Sequence, residues 1–162
     1  MAGASFMKQI TADIADRTLR PDLVVVTTNG CRTHMGALVM GAGVALKFKL
    51  SYPGIDLILG EWVQEKGNVP CLIRKWTPHI ISLPTKNHWQ DPSPIDLVEN
   101  SLRRLVDIVD YHGYRNVVMP RPGCGNGGLA WKGVIEELCV KYLDDRFTVV
   151  APTPKREEVD DL

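Results

Sequence analysis

Two glycine-rich segments, Met40-Gly-Ala-Gly-Val-Ala45 and Gly123-Cys-Gly-Asn-Gly-Gly-Leu129, each follow a run that reads as a strand and lead into one that reads as a helix. Glycine lets the chain turn through positive φ and lets a ligand approach the main chain, while the free N–H groups of a helix start favour phosphate. Two such loops at one sheet edge can grip a diphosphate from both sides. The first offers Gly41, Ala42, Gly43, Val44 and Ala45; the second offers Gly123, Cys124, Gly125, Asn126, Gly127, Gly128 and Leu129. Pro120 and Arg121 lead into the second loop, where the planar guanidinium suits a phosphate and a surface salt bridge is the simpler use. Neither segment is a GxxxxGK phosphate loop, nor a GxGxxG followed by a ribose-binding acid at dinucleotide-fold spacing. Triphosphate hydrolysis and ordinary dinucleotide redox chemistry are therefore disfavoured.

A third segment, Leu83-Pro-Thr-Lys-Asn-His-Trp89, also follows a strand-like run. His88 there has the chemistry of an acid or base near neutral pH, and Trp89 could cover a sugar or base. The structural alternative is a capping histidine and a packed tryptophan. Cys31, Cys71, Cys124 and Cys139 have no CxxC pair and no Cys/His spacing suited to zinc, so no metal site is expected. Cys124 has no histidine placed beside it by the sequence, and a thiolate nucleophile there is not expected.

The elements that must carry these segments alternate. Asp22 to Thr28 is β-branched, bounded by Pro21 and Asn29-Gly30, and reads as a buried strand. The first glycine loop feeds a helix stopped by Pro53, and Gly54 to Glu65 reads as a second helix. Short strands are expected near Cys71 to Trp76 and His79 to Leu83. Pro94 to Tyr111 has one apolar face, with Ser93 as N-cap and Gly113 as C-terminal stop. A strand at Val117 to Met119, a helix from Trp131 to Leu143 and a strand from Phe147 to Ala151 complete the order. Such alternation predicts a mostly parallel sheet covered by helices on both faces.

The 162 residues suit one domain, here 1–151, followed by a polar tail, 152–162, expected to be mobile and without chemistry. Lys plus Arg and Asp plus Glu number 19 each, so an anionic ligand must be held by local geometry and not by global charge. No basic start with a long apolar run opens the chain, and no stretch approaches the roughly 18 apolar residues of a membrane helix. A soluble protein with reduced thiols in a cytoplasm is expected.

In order, the segments Met40 to Lys49, Leu83 to Trp89 and Pro120 to Trp131 resemble three consecutive motifs of the macrodomain family, and the resemblance runs from about Ile10 to Ala151. It is closest to the branch containing the DarG antitoxin, terminal ADP-ribose glycohydrolase and the yeast Poa ADP-ribose 1''-phosphate phosphatase. The resemblance implies a three-layer α/β/α fold with a mixed, mostly parallel sheet and a cleft at the strand carboxyl ends. It implies that Asp13, in Ala12-Asp-Ile14, accepts from the adenine amino group, and that Ile14 also belongs to the ligand-binding residues. Asn29 resembles the asparagine near the distal ribose, and Lys49 the lysine that attacks, or stabilises charge at, its anomeric carbon; partial burial beside Phe48 would lower that lysine's pKa. Gly127 stands where the glycohydrolase has an aspartate, so its lysine and aspartate pair is not available. The segment between Asn29 and Met40 is longer than in the relatives and would reshape the rim of the distal ribose. The expected partner is ADP-ribose or an ADP-ribosylated substrate, DNA included, with no cofactor. The expected activity is removal of ADP-ribose from a macromolecule; the same pocket would suit an ADP-ribose 1''-phosphate phosphatase or a non-catalytic reader.

Overall fold

The computed structural model describes residues 5–154. Six strands form one sheet: β1 (Lys8–Thr11), β2 (Leu23–Thr28), β3 (Leu72–Ile73), β4 (His79–Pro84), β5 (Val117–Pro120) and β6 (Phe147–Ala151). Their spatial order is β1-β6-β5-β2-β4-β3, and every pairing is parallel except the antiparallel β3–β4 pair.

Alternation along the strands builds two cores. Leu23 and Val25 of β2, Ile81 and Leu83 of β4, Val117 and Met119 of β5, and Phe147 and Val149 of β6 share one cluster. It is closed by Val98, Leu102, Leu105 and Val109 of helix α3 (Ile95–His112) and Cys139 of helix α4 (Glu136–Tyr142). Val24, Val26, Ile80, Val118 and Val150 point the other way and meet Phe48 of helix α1 (Gly43–Ser51) and Ile55 and Leu59 of helix α2 (Ile55–Lys66). The period of two in β2, β4, β5 and β6 and the period near 3.6 in α3 together dictate this α/β/α sandwich. Each fully buried Leu, Ile or Val contributes roughly 1.5–3 kcal/mol relative to leaving it exposed.

Four details differ from the sequence expectation. Strand β1 carries no apolar signal, because all four of its residues are exposed at the sheet edge; backbone pairing with β6 holds it. The strand expected over Cys71 to Trp76 pairs only at Leu72–Ile73. Pro94, not Ser93, occupies the N-cap of α3, and the buried Ser93 hydroxyl makes no hydrogen bond. The helix expected from Trp131 is broken: Lys132 and Gly133 leave helical angles, and regular winding begins at Glu136. Residues 155–162 of the expected tail lie outside the described residues. No helix among the described residues is long and apolar enough to cross a membrane.

The long segment between Asn29 and Met40 folds back on itself through an Arg32–Leu38 bridge and a Thr33 N–H to Ala37 carbonyl bond of 2.7 Å. Its turn rests on α2 at Gly60, where a Cβ would lie 2.0 Å from the Gly36 carbonyl oxygen and 2.9 Å from Leu38 N. Only a residue without a side chain fits there. Gly60→Ala is expected to lower stability by about 1–3 kcal/mol, as overpacking does; a thermal melt at or above the parent midpoint would contradict this packing.

Candidate functional site

Five parallel strands end on one edge of the sheet, and the residues after each end converge there. Ala12 and Asp13 follow β1, Asn29 follows β2, Thr85 and Lys86 follow β4, Arg121 follows β5, and Pro152 and Thr153 follow β6; all line one cleft of about 1320 Å³. A crevice outside the carboxyl ends of parallel strands is the usual ligand position in open α/β sheets.

Both glycine loops enter this cleft. Gly41, Ala42, Gly43, Val44 and Ala45 line one side, and Pro120, Arg121, Gly123, Cys124, Gly125, Asn126 and Gly127 the other. The loops approach each other closely: a Cβ on Gly43 would stand 3.4 Å from Asn126 Nδ2. Gly43 has φ 59°, a conformation that glycine adopts without strain, and it opens α1 with its orphan amides at the cleft. Gly127 is constrained by contact. A Cβ there would lie 2.3 Å from Ser93 Oγ and 2.4 Å from the Gly123 carbonyl oxygen, while the Gly127 carbonyl accepts from Ser93 N–H at 2.9 Å. No aspartate fits at this position without moving the loop.

Asn29 is a staple as well as a lining residue. Its side-chain oxygen accepts from Cys31 N–H at 2.9 Å and its Nδ2 donates to the Val39 carbonyl at 3.0 Å, tying the two ends of the long rim segment together. One Nδ2 hydrogen remains for a ligand. Next to it, Thr85 N–H donates to the Thr28 carbonyl at 2.9 Å, which fixes where the chain leaves β4. Lys86 Nζ then donates to the Trp89 carbonyl at 3.2 Å, and the Trp89 ring, 51% exposed, stands at the mouth.

Several residues named from the sequence lie elsewhere. Lys49 is exposed and outside the cleft, so the burial expected beside Phe48 is absent. Six residues beyond Gly43 at 1.5 Å each carry it about 9 Å along the helix axis from the loop. His88 is exposed, accepts from Gln90 N–H at 3.2 Å and stacks on Trp89 without lining the cleft. Gly128 and Leu129 shape the second loop from behind, through bonds of 3.2 Å from Gly128 N–H to the Gly125 carbonyl and 2.9 Å from Leu129 N–H to the Gly123 carbonyl. Ile14 lines the cleft and is buried. Burial pushes the Cys124 thiol up to about 11, which keeps it neutral and unsuited to nucleophilic attack. The Arg121 guanidinium lies over the Trp131 ring, 4.7 Å from its centre.

Lys47 and Lys86 are cleft residues to which the sequence reading assigned no role, and Pro152 and Thr153, expected in a tail without chemistry, line the cleft because they continue directly from the parallel strand β6. For three of them the signal was position, since each directly follows a parallel strand. Lys47 had no such signal. It lies 34 residues from Asp13, to whose Oδ1 its Nζ donates. That hydrogen bond, with a second from Ala15 N–H at 2.8 Å, holds the Asp13 carboxyl below the usual carboxylate range. Among the described residues no His, Cys, Asp and Glu side chains cluster as metal ligands do.

The Macro domain family model matches residues 63–138. Over 128 residues the chain is 31% identical to the DNA ADP-ribosyl glycohydrolase of Mycobacterium tuberculosis, an alignment covering 70% of this chain and 35% of that protein. It is 30% identical over 113 residues to the bovine ADP-ribose glycohydrolase OARD1, covering 68% of this chain and 72% of that one. Thermosipho africanus DarTG, solved in complex with ADP-ribose, superposes with a TM-score of 0.70 at 25% identity, over 88% of this chain and 40% of that one. The chain thus spans about a third of the length of the mycobacterial protein and most of the bovine one. With the sheet order, the two glycine loops and these likenesses in agreement, the chain belongs to the macrodomain family.

Proposed function

We propose that residues 1–151 act as one macrodomain that binds ADP-ribose and hydrolyses an ADP-ribose derivative, releasing ADP-ribose from a modified macromolecule. The observation that carries this reading is the convergence of Asp13, both glycine loops, Asn29 and Lys86 on one cleft. Asp13 and Ile14 form the base end, the amides of Gly41 to Val44 and Gly123 to Gly127 surround the diphosphate, and Asn29 and Lys86 stand at the distal ribose. Pro152 and Thr153, which follow β6 beside β1, complete the wall of the base end. Four thiols without disulfides are in keeping with a cytoplasmic setting.

Hydrolysis breaks the bond from the anomeric carbon to the leaving atom; the carbon gains the hydroxyl of a water and the leaving atom gains its proton. Charge builds up on the leaving atom as the bond stretches, and a fixed cation stabilises it. Lys86 meets that need better than Lys49. It follows β4 directly, is partly buried and is anchored on the Trp89 carbonyl, whereas Lys49 is outside the cleft. Asp13 is the sole carboxylate lining the cleft among the described residues, and Lys47 engages it at the base end. A lysine and aspartate pair at the distal ribose is therefore replaced by lysine and loop amides alone. Relatives named DNA ADP-ribosyl glycohydrolase favour nucleic-acid-linked ADP-ribose as the substrate class, and the exposed Trp89 offers a base a stacking surface at the mouth.

Calorimetric titration with ADP-ribose should give one saturable site that weakens about 10-fold or more on Asp13→Ala, the scale of a charge-assisted hydrogen bond. No binding at millimolar ligand would refute the reading. On ADP-ribosylated single-stranded DNA, Lys86→Ala should lower turnover by about 100-fold or more while ADP-ribose still binds; unchanged turnover would exclude Lys86, and tight binding with no parent turnover would make the domain a reader. Gly127→Asp, which places a carboxylate against Ser93 and Gly123, should lower the melting temperature and weaken ADP-ribose binding; a gain in turnover would show that the loop tolerates the acid.

A further inference from the structure

The base end of the cleft carries a cation that the grip on the diphosphate does not require. Lys47 lies on α1 one turn beyond Val44 and lines the cleft. Its Nζ donates to Asp13 Oδ1, the same oxygen that accepts Ala15 N–H, while Asp13 Oδ2 makes no hydrogen bond among the described residues. An ammonium has three N–H groups, so two remain after this contact. Both side chains are open to the cleft, Lys47 at 43% and Asp13 at 54% exposure. The pair therefore presents one bare acceptor and a bare donor side by side where a purine edge would lie.

A carboxylate alone selects a 6-aminopurine: it accepts the amino N–H and repels a 6-carbonyl oxygen. An adjacent donor removes that repulsion. Adenine offers an amino donor beside a ring-nitrogen acceptor, whereas a 6-oxopurine offers a carbonyl acceptor beside a protonated ring nitrogen. The order is reversed but the complement is the same, and the flexible four-carbon stem of lysine lets the ammonium meet either edge.

We propose that Lys47 broadens the base specificity of the cleft, so that it takes 6-oxopurine diphosphate-riboses as well as ADP-ribose. The inference rests on the reading of this cleft as an ADP-ribose site with Asp13 at the base. Its test is the ratio of dissociation constants for inosine diphosphate ribose and ADP-ribose, measured by calorimetry on the full chain. The parent ratio should lie within about 10-fold, Lys47→Met should raise it by a further factor of about 10 to 100, and Lys47→Arg, which keeps a donor, should hold it near the parent value. A parent that rejects the inosine compound by more than about 100-fold, or a Lys47→Met ratio equal to the parent's, would overturn the role of Lys47 while leaving the ADP-ribose site intact. Failure of the parent to bind ADP-ribose at all would instead remove the reading on which the inference rests.

Discussion

Parallel pairing is the constraint on which the rest of this molecule depends. Because β1, β6, β5, β2 and β4 run in one direction, every chain segment that leaves them does so on the same edge. Five exits within one sheet width bring Asp13, Asn29, Lys86, Arg121 and Thr153 together from positions spread across nearly the whole chain. An antiparallel arrangement would send alternate exits to the opposite edge and divide the site. The parallel arrangement in turn requires covered faces, and α1 and α2 on one side and α3 and α4 on the other supply them.

The cleft then owes its shape to backbone more than to side chains. Gly43 turns the first loop into α1, and Gly127 brings the second loop against Ser93 so closely that no side chain is accommodated. What side chains add is position: Asn29 staples the rim, Lys86 is held by the Trp89 carbonyl, and Arg121 lies on Trp131. A globally neutral chain can hold an anionic ligand in this way because oriented amides act locally.

Much of this was legible before the fold was known. The β-branched runs at Val24 and Val117 and the apolar stripe of α3 gave strands and helix because burial on two faces leaves a continuous apolar run and burial on one face leaves a periodic stripe. Strand β1 left none, since an exposed edge strand is held by main-chain bonds. Both glycine loops could be placed because glycines between a strand and a helix have a backbone meaning independent of tertiary context. The lysine of the proposed reaction could not be chosen that way. Lys49 and Lys86 both lie in motifs, but one sits two turns into a helix and does not line the cleft, whereas the other follows a strand exit and does, a difference that only the parallel sheet reveals. The Lys47–Asp13 pair was beyond reach for a different reason: it joins side chains from two elements and leaves no pattern in either.

A crystal structure of the chain grown with ADP-ribose would test the proposed site most directly. The diphosphate should lie between the amides of Gly41 to Val44 and those of Gly123 to Gly127, the base against Asp13 and Lys47, and the distal ribose beside Asn29 within reach of Lys86. A ligand bound elsewhere, or bound in the cleft with its ribose at Asp13 and its base at Lys86, would contradict that arrangement.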